Sequence, residues 1–195
     1  MGLRIDRRKD ERVIHACTHM LADIPNGVTV CSADLVAGVP LLEGTAIGKD
    51  AAGLFHAVKT AQLTETANNS ATSYKVKKGH HFKKGDFVMA KVGAKAYAIT
   101  AIDNTSEATH DTITVGTTLG VEVKQGGALV QADKESTNNT SAFKYVPKAM
   151  TGDSYDVREL DNHLVAAVTI GQFKESVIPV QNDDIKAALT GIVLI

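Results

Sequence analysis

Two adjacent histidines, His80 and His81, stand between two Lys-Lys-Gly triplets, and their residue type makes them candidates for a metal site. Adjacent residues of a strand point to opposite faces, so the pair could bind one ion only where the backbone turns. No cysteine or acidic residue flanks them at ligand spacing. We therefore expect solvated turn residues here rather than metal ligands.

The stretch HACTH holds a second group of candidate ligands. His15 and His19 share a face if the segment is a helix, whereas Cys17 lies on their face if it is a strand. No glutamate follows His15 as in zinc peptidases, and a structural zinc would need a fourth ligand such as Cys31. We favour a partly buried helix or strand over a zinc site, and two free thiols over a disulfide.

The motif GTAIGKD, residues 44–50, falls short of a phosphate-binding loop. Three residues separate its glycines where four are needed, and Asp50 stands where a serine or threonine should bind magnesium. We interpret the motif as a turn. G-x-S-x-G, C-x-x-C and D-x-D-x-D-G motifs do not occur in the sequence. We therefore predict no catalytic, cofactor-binding or metal-binding residues, no cofactor, and a protein that is not an enzyme.

The densest basic patch comprises Lys75, Lys77, Lys78, Lys83 and Lys84. On a strand, Lys75 and Lys77 would face opposite to Tyr74 and Val76, which is the alternation of a half-buried sheet. Only Phe82 is available for base stacking, and the whole chain carries a net charge of −1. We expect an exposed sheet edge and no nucleic-acid partner.

The middle of the chain predicts short strands that alternate apolar and polar residues, separated by turn segments such as NNSATS and KQGG. Six runs show this pattern, and they begin near residues 74, 87, 97, 113, 121 and 129. Their spacing of roughly ten residues favours a small barrel or sandwich over βαβ units. Residues 6–24 remain ambiguous, because their apolar residues fit a helix and residues 12–21 also fit a strand.

The C-terminal part predicts a central strand within HLVAAVTIGQFKESVIPV, with Gly171 at a bulge or turn. A short helix follows in NDDIKAALTG, capped by Asn182 or Asp183. The chain ends on four apolar residues, which we expect to pair inside the fold or against a partner subunit as an oligomer contact. These residues are Ile192, Val193, Leu194 and Ile195.

The predicted fold class is mainly β: a small β-barrel or sandwich of short antiparallel strands with one or two short helices. We divide the chain into an N-terminal arm, residues 1–58, and a β-rich domain, residues 59–195. The first residues carry no apolar run of the kind that a secretion signal needs, and about 18 consecutive apolar residues occur nowhere, so we expect no membrane partner. The arm has clustered positive charge at Arg4, Arg7, Arg8, Lys9 and Arg12.

Several segments resemble the head-fibre and capsid-decoration proteins of tailed bacteriophages, especially those of phages and prophages of gut Bacteroidetes. They are YKVKKGHHFKKGDFV, AYAITAID, TITVGTTLG, GGALV and LLEGTAIGKDAAGLFHAVKTA. The C-terminal segment adds a strand, a G-x-x-x-E-x-x-x-P step at Gly171, Glu175 and Pro179, and a short helix. The resemblance covers roughly residues 35–195, and its motifs are patterns of strands and turns rather than catalytic signatures.

The resemblance implies a non-enzymatic structural protein that is made in the cytoplasm of a bacterial host, trimerises and sits on the virion surface. Its expected partners are further copies of itself and the major capsid protein, which the basic residues of the arm would contact. The alternative that the residues leave open is a carbohydrate- or surface-binding module on a β-scaffold. The absence of tryptophan counts against that alternative, since sugar platforms favour exposed aromatic rings.

Overall fold

The computed structural model of the chain describes residues 14–158 and 161–195. The basic residues Arg4, Arg7, Arg8, Lys9 and Arg12 lie outside this part. The described chain is mainly β, as predicted, with fourteen strands and one short helix. In chain order they are β1 (Cys17–Asp23), β2 (Val28–Val30), β3 (Ala46–Lys49), β4 (Phe55–Ala57), β5 (Thr60–Gln62), β6 (Ser73–Lys77), β7 (Phe87–Met89), β8 (Ala96–Asp103), β9 (His110–Val115), β10 (Ala128–Ala132), β11 (Ala149–Thr151), β12 (His163–Val165), β13 (Ala167–Phe173), α1 (Asp183–Ala188) and β14 (Ile192–Leu194).

The first sheet combines strands from both ends of the described chain. Its order is β1-β13-β11-β3-β4-β2-β12, and β14 also pairs with β13. The pairs β13–β14 and β2–β4 are parallel, and the other pairs of this sheet are antiparallel. The C-terminal apolar strand therefore pairs inside the fold. Ile192 and Leu194 pack against the core, while Val193 and Ile195 are exposed.

The second sheet is formed by the middle of the chain in the order β5-β10-β7-β8-β9-β6. It curls until β6 returns beside the end of β5, where Leu63 bridges Val76 and the Thr64 amide donates to the Lys75 carbonyl at 2.9 Å. Tyr74 and Val76 are buried in β6 while its lysines are exposed, as their alternation predicted. Five of the six predicted strands are confirmed. The sixth, near Val123, forms only an isolated bridge to Ala67.

A shared apolar core joins the two sheets. Met89 and Val130 of the second sheet lie in one buried cluster with Met150 and Phe173 of the first. The helix α1 completes this core with Ile185, which is fully buried. Asn182 caps the helix by accepting a hydrogen bond from the Ile185 amide at 3.0 Å, so the predicted cap is confirmed.

The structure bears on three expectations about local structure in the described residues. Residues 17–23, whose apolar pattern fits both a helix and a strand, form β1, because pairing with β13 supplies their backbone hydrogen bonds. The GTAIGKD motif is not only a turn, since Ala46–Lys49 forms β3. The boundary at residue 58 does separate β4 from β5, but β2, β3 and β4 share a sheet with β11 and β12, so the described part of residues 1–58 is integrated into the fold.

The expectation of solvated histidines at His80 and His81 is also wrong. His81 bridges the two sheets: its Nδ1 accepts from the Val36 amide at 3.2 Å, so its Nε2 carries the hydrogen and donates to the Pro40 carbonyl at 3.2 Å. The His80 side chain is only 5% exposed, and its Nε2 lies 3.4 Å from an Asp111 carboxylate oxygen. Gly79 does make the predicted turn, but that turn directs both rings inward.

A buried ion pair forms a second polar link between the sheets. Lys59, in the connection from β4 to β5, places its Nζ 2.8 Å from Asp86 Oδ2, and its side chain is 1% exposed. Asp86 also accepts hydrogen bonds from the Lys83 amide and the Gln131 side chain. Removing one partner of such a pair leaves an uncompensated buried charge, so the contact fixes how the sheets meet.

Replacing Gly48 with alanine should destabilise the protein by at least about 2 kcal/mol. A Cβ atom on Gly48 would overlap the Val146 carbonyl oxygen, and backbone cannot move aside as a flexible side chain can. Urea unfolding monitored by circular dichroism measures the loss. Gly116→Ala is the matched control, because its Cβ would meet nothing closer than Thr100 Cγ2 at 3.6 Å. Equal stability of the two variants would contradict the close approach of the Val146 carbonyl to Gly48.

The buried His81 predicts a stability that falls between pH 6.5 and pH 4. Burial lowers the pKa of His81 from 6.5 to about 4, so over this range the unfolded chain binds a proton that the folded chain does not. The free energy of unfolding is unaffected by titration of His81 above pH 6.5, and it decreases by about 3 kcal/mol as the pH falls to 4. Urea unfolding at several pH values measures it.

His81→Gln should flatten this pH dependence, because glutamine keeps a donor and an acceptor but does not titrate. His19→Gln removes an exposed histidine and should leave the slope as in the wild type. A His81→Gln protein that retains the full slope would contradict the assignment.

Candidate functional site

A cluster of polar side chains surrounds His56, which lies at the centre of β4. The His56 side chain is 8% exposed, and both of its ring nitrogens face carboxylates. Nδ1 lies 2.5 Å from Asp34 Oδ2, and Nε2 lies 3.2 Å from Asp50 Oδ2. Asp50 sits in the turn between β3 and β4, where its other oxygen accepts from the Leu54 amide at 2.9 Å. The turn of GTAIGKD thus positions one carboxylate against the ring.

Tyr145, which lies in the segment before β11, contacts both His56 and Asp34. Its ring stacks on His56 with centroids 4.0 Å apart and planes 7° from parallel, and its hydroxyl donates to Asp34 Oδ2 at 3.0 Å. Burial and the neighbouring Asp34 carboxylate both raise the pKa of Tyr145, so it stays a hydrogen-bond donor. Burial opposes ionisation of Asp34, but the hydrogen bond from His56 and the charge of Lys144 outweigh it and lower its pKa. Asp34 is therefore a carboxylate held in one orientation.

Cys31 adds sulfur to this cluster. The residue directly follows β2, and its amide donates to the Phe55 carbonyl at 2.8 Å, so the β2–β4 pairing places it beside His56. Ligand atoms of Cys31, Asp34 and His56 lie within 4.8 Å of one another. A cysteine nucleophile would need His56 as its base, but carboxylates occupy both ring nitrogens. The arrangement suits hydrogen bonding or metal binding better than nucleophilic catalysis. We call Cys31, Asp34, His56, Asp50 and Tyr145 the His56 cluster.

The structure separates the metal ligands considered from the sequence. His15 has a side chain that is 63% exposed and lies 3.5 Å from Glu43 Oε2, and His19 is exposed on β1. Both Cys17 and Cys31 are free thiols, as expected. Burial and the Glu43 carboxylate raise the pKa of Cys17, which favours its protonated form over a ligand thiolate. Cys31 joins Asp34 and His56, a combination that spacing in the sequence did not suggest.

A cleft of about 510 Å³ lies at the junction of the two sheets. Its walls come from the β4–β5 connection, the turn after β6 and the loop before α1, and they include Pro40, Thr60, Lys78, Ile178 and Lys186. Its charged groups are largely paired: Lys186 Nζ lies 2.6 Å from Glu175 Oε1, and Lys78 Nζ lies 2.6 Å from Asp111 Oδ1. These pairs leave little net charge to select an ionic ligand. Two of the predicted basic-patch lysines, Lys77 and Lys78, lie at its rim.

Exposed apolar side chains concentrate on the adjacent strands β1, β13 and β14. Ile170 and Gln172 share one face of β13, and Val193 lies opposite Gln172 in the parallel register with β14. In the described chain β1 has a single strand neighbour, β13, so its outer edge is open. We call the following four residues the β1–β13–β14 apolar surface: Leu21 (69% exposed), Ile170 (45%), Val193 (56%) and Ile195 (57%).

Two of the residues expected to form an oligomer contact, Val193 and Ile195, belong to this surface. The other two, Ile192 and Leu194, face the core instead, because alternate residues of β14 point to opposite sides. Sequence reasoning did not identify Leu21 and Ile170 as their neighbours, since the pairing of β1 with β13 joins residues about 150 positions apart.

Comparisons with known proteins add no identification: no family model, no curated protein and no solved structure matches the chain. Among the described residues, no helix is long and apolar enough to cross a membrane.

Proposed function

We propose that this chain is a non-enzymatic structural protein of a tailed-phage virion, which self-associates and binds the outside of the capsid as a head fibre or decoration protein. The observation that carries the proposal is the β1–β13–β14 apolar surface. It groups four exposed apolar side chains beside the outer edge of β1, which has no strand neighbour among the described residues. Such grouped apolar surface is typical of protein contacts.

Self-association would use the exposed apolar side chains of this surface and the outer edge of β1. Burial of Leu21 and Val193 removes apolar area from water, which is the main driving force of most protein association. The open edge of β1 offers backbone donors and acceptors to a strand of another copy. A trimer is the assembly that the phage resemblance implies, and its closed symmetry would leave none of the three edges free to recruit further copies.

The segments that carry the resemblance occupy structurally defined positions. YKVKKGHHFKKGDFV forms β6, the turn with the two buried histidines, and the start of β7. In the C-terminal motif, Gly171 lies where a Cβ would stand 2.8 Å from the His19 carbonyl oxygen, so only glycine allows β1 to pair this closely. The loop through Glu175 and Pro179 then leads to α1. The motif thereby builds the β13–β14 half of the apolar surface.

Capsid attachment is assigned to the basic N-terminal residues. Arg4, Arg7, Arg8, Lys9 and Arg12 place five positive charges within nine positions, against a chain whose net charge is −1. An acidic patch on the shell would attract them and accelerate binding. The described part of residues 1–58 is integrated into the first sheet, so we restrict the attachment segment to the basic residues that precede it.

The alternative of a carbohydrate-binding module receives less support. All four tyrosines and five phenylalanines lie in the described part of the chain, and each is buried or half-buried. A sugar platform requires an exposed aromatic face. The 510 Å³ cleft at the junction of the two sheets has no phenylalanine or tyrosine in its lining.

The wild-type protein should be an oligomer, with three copies expected, in multi-angle light scattering at micromolar concentration. Ile170→Lys combined with Val193→Lys should shift it to the monomer, because two charges would have to be buried in the contact. Leu164→Lys is the matched control: Leu164 is 67% exposed on β12 of the same sheet, away from the proposed contact. A monomeric wild type, or an equal loss of oligomer in the control, would contradict the assignment.

Replacing Arg4, Arg7, Arg8, Lys9 and Arg12 with glutamine should reduce capsid binding at least tenfold without changing the oligomeric state. The measurement is co-sedimentation with undecorated shells of the major capsid protein encoded in the same genome. The control replaces five exposed lysines, Lys77, Lys84, Lys91, Lys124 and Lys134, and so removes the same charge elsewhere. Unchanged binding of the first variant rules out attachment by the basic segment, and binding by neither variant nor wild type rules out the capsid partner.

A further inference from the structure

The geometry points to a transition-metal site, best suited to zinc, formed by the Cys31 thiolate, the Asp34 carboxylate and the His56 Nδ1 atom. The proposal is independent of virion assembly and revises the expectation that the chain holds no resident metal. It rests on the three ligand atoms lying within 4.8 Å of one another and on the partners that orient them.

The paired strands β2 and β4 place two of the three ligands, His56 within β4 and Cys31 directly after β2. Val30 pairs with Phe55 in the parallel β2–β4 pair, so the residues that follow each of them, Cys31 and His56, are neighbours. Asp34 follows in the turn after Cys31. Placement by a sheet rather than by a mobile loop keeps the donors together before an ion arrives, which lowers the ordering cost of binding.

The set of donors matches zinc chemistry. Zinc is bound in proteins by cysteine sulfur, histidine nitrogen and aspartate oxygen, commonly with water in a fourth position. A thiolate, a carboxylate and a neutral imidazole carry two negative charges together, which neutralise a divalent ion. Magnesium and calcium prefer sites made of oxygen atoms alone, so the thiol and imidazole select against them.

The surroundings of the ligands resemble the second coordination layer of metal sites. A metal-bound histidine usually donates its other ring N–H to a carboxylate, and Asp50 Oδ2 lies 3.2 Å from His56 Nε2 in that role. Tyr145 donates to Asp34 and stacks on the His56 ring, which restrains both ligands. These contacts would hold the imidazole in the tautomer that presents Nδ1 to an ion.

Binding of the ion requires one local rearrangement. Asp34 Oδ2 and His56 Nδ1 are 2.5 Å apart, whereas two ligand atoms on tetrahedral zinc are roughly 3.3 Å apart. Asp34 would shift outward by about 1 Å, which its 22% exposure permits, and Lys144 would turn away from it.

The first test uses the chelator-treated full chain and requires no variant. Titration with Zn²⁺ should show one equivalent bound with a dissociation constant below about 1 µM. Co²⁺ should give the intense visible bands of tetrahedral coordination and a near-ultraviolet thiolate-to-metal band. Zinc should also protect Cys31, but not Cys17, from alkylation by iodoacetamide, as read by peptide mass spectrometry.

Variants then test the individual ligands. Cys31→Ser and Asp34→Asn should each weaken zinc binding at least a hundredfold, and Asp50→Asn should weaken it about tenfold to a hundredfold because it only orients His56. Cys17→Ser is the matched control, since Cys17 is the other free, half-buried thiol. Circular dichroism confirms that each variant is folded.

Three results would overturn the proposal: no binding near one equivalent, a cobalt complex without the thiolate band, or zinc that protects Cys17 instead of Cys31. The last result would place the metal at the HACTH stretch.

Discussion

The pairing of β13 with strands from distant parts of the chain holds the first sheet together. β13 pairs with β1 along one side and with β11 and β14 along the other, and its Val168 and Phe173 are fully buried. This strand closes the first sheet around the insertion that carries the second sheet. Without it, neither β1 nor β14 would have a strand partner among the described residues.

Two candidate sites depend on this closure of the first sheet. On the β13 side of the sheet, the strands that satisfy the backbone of β13 leave apolar side chains exposed on β1 and β14. Further along the same sheet, the β11–β3–β4–β2 order places Cys31 beside His56 and brings Tyr145, in the segment before β11, onto the His56 ring. The β1–β13–β14 apolar surface suits assembly between copies, and the His56 cluster suits binding of an ion. The two proposals can therefore be tested independently.

The local patterns in the sequence were sufficient for the class of fold and for single elements. Alternation predicted β6 through Tyr74 and Val76, and the Asn182 cap predicted α1, because both signals depend on neighbouring residues. Local patterns were insufficient where contacts with residues distant in the chain determine the structure. Residues 17–23 have apolar spacing that also fits a helix, and only β13 makes them a strand. His80 and His81 looked solvated beside lysines, but the loop through Val36 and Pro40 covers His81.

The candidate sites show the same limit more strongly. The oligomer contact at the apolar C-terminus stays a prediction, and its neighbours Leu21 and Ile170 depend on the register of strands that are distant in the chain. The His56 cluster was missed altogether, since Asp34 and Tyr145 are 111 positions apart. The short spacings Cys31-x-x-Asp34 and Asp50 to His56 were the available signals, and each is too common alone to indicate a site. The parallel pairing of β2 with β4 brings these separate residues into one cluster.

Electron cryomicroscopy of capsids mixed with the purified chain would show whether the chain decorates the shell. We expect density outside the shell, in which copies of the fold meet through Leu21, Ile170, Val193 and Ile195 and their N-termini contact the capsid. Bare shells, or isolated copies whose β1–β13–β14 apolar surface faces solvent, would contradict it.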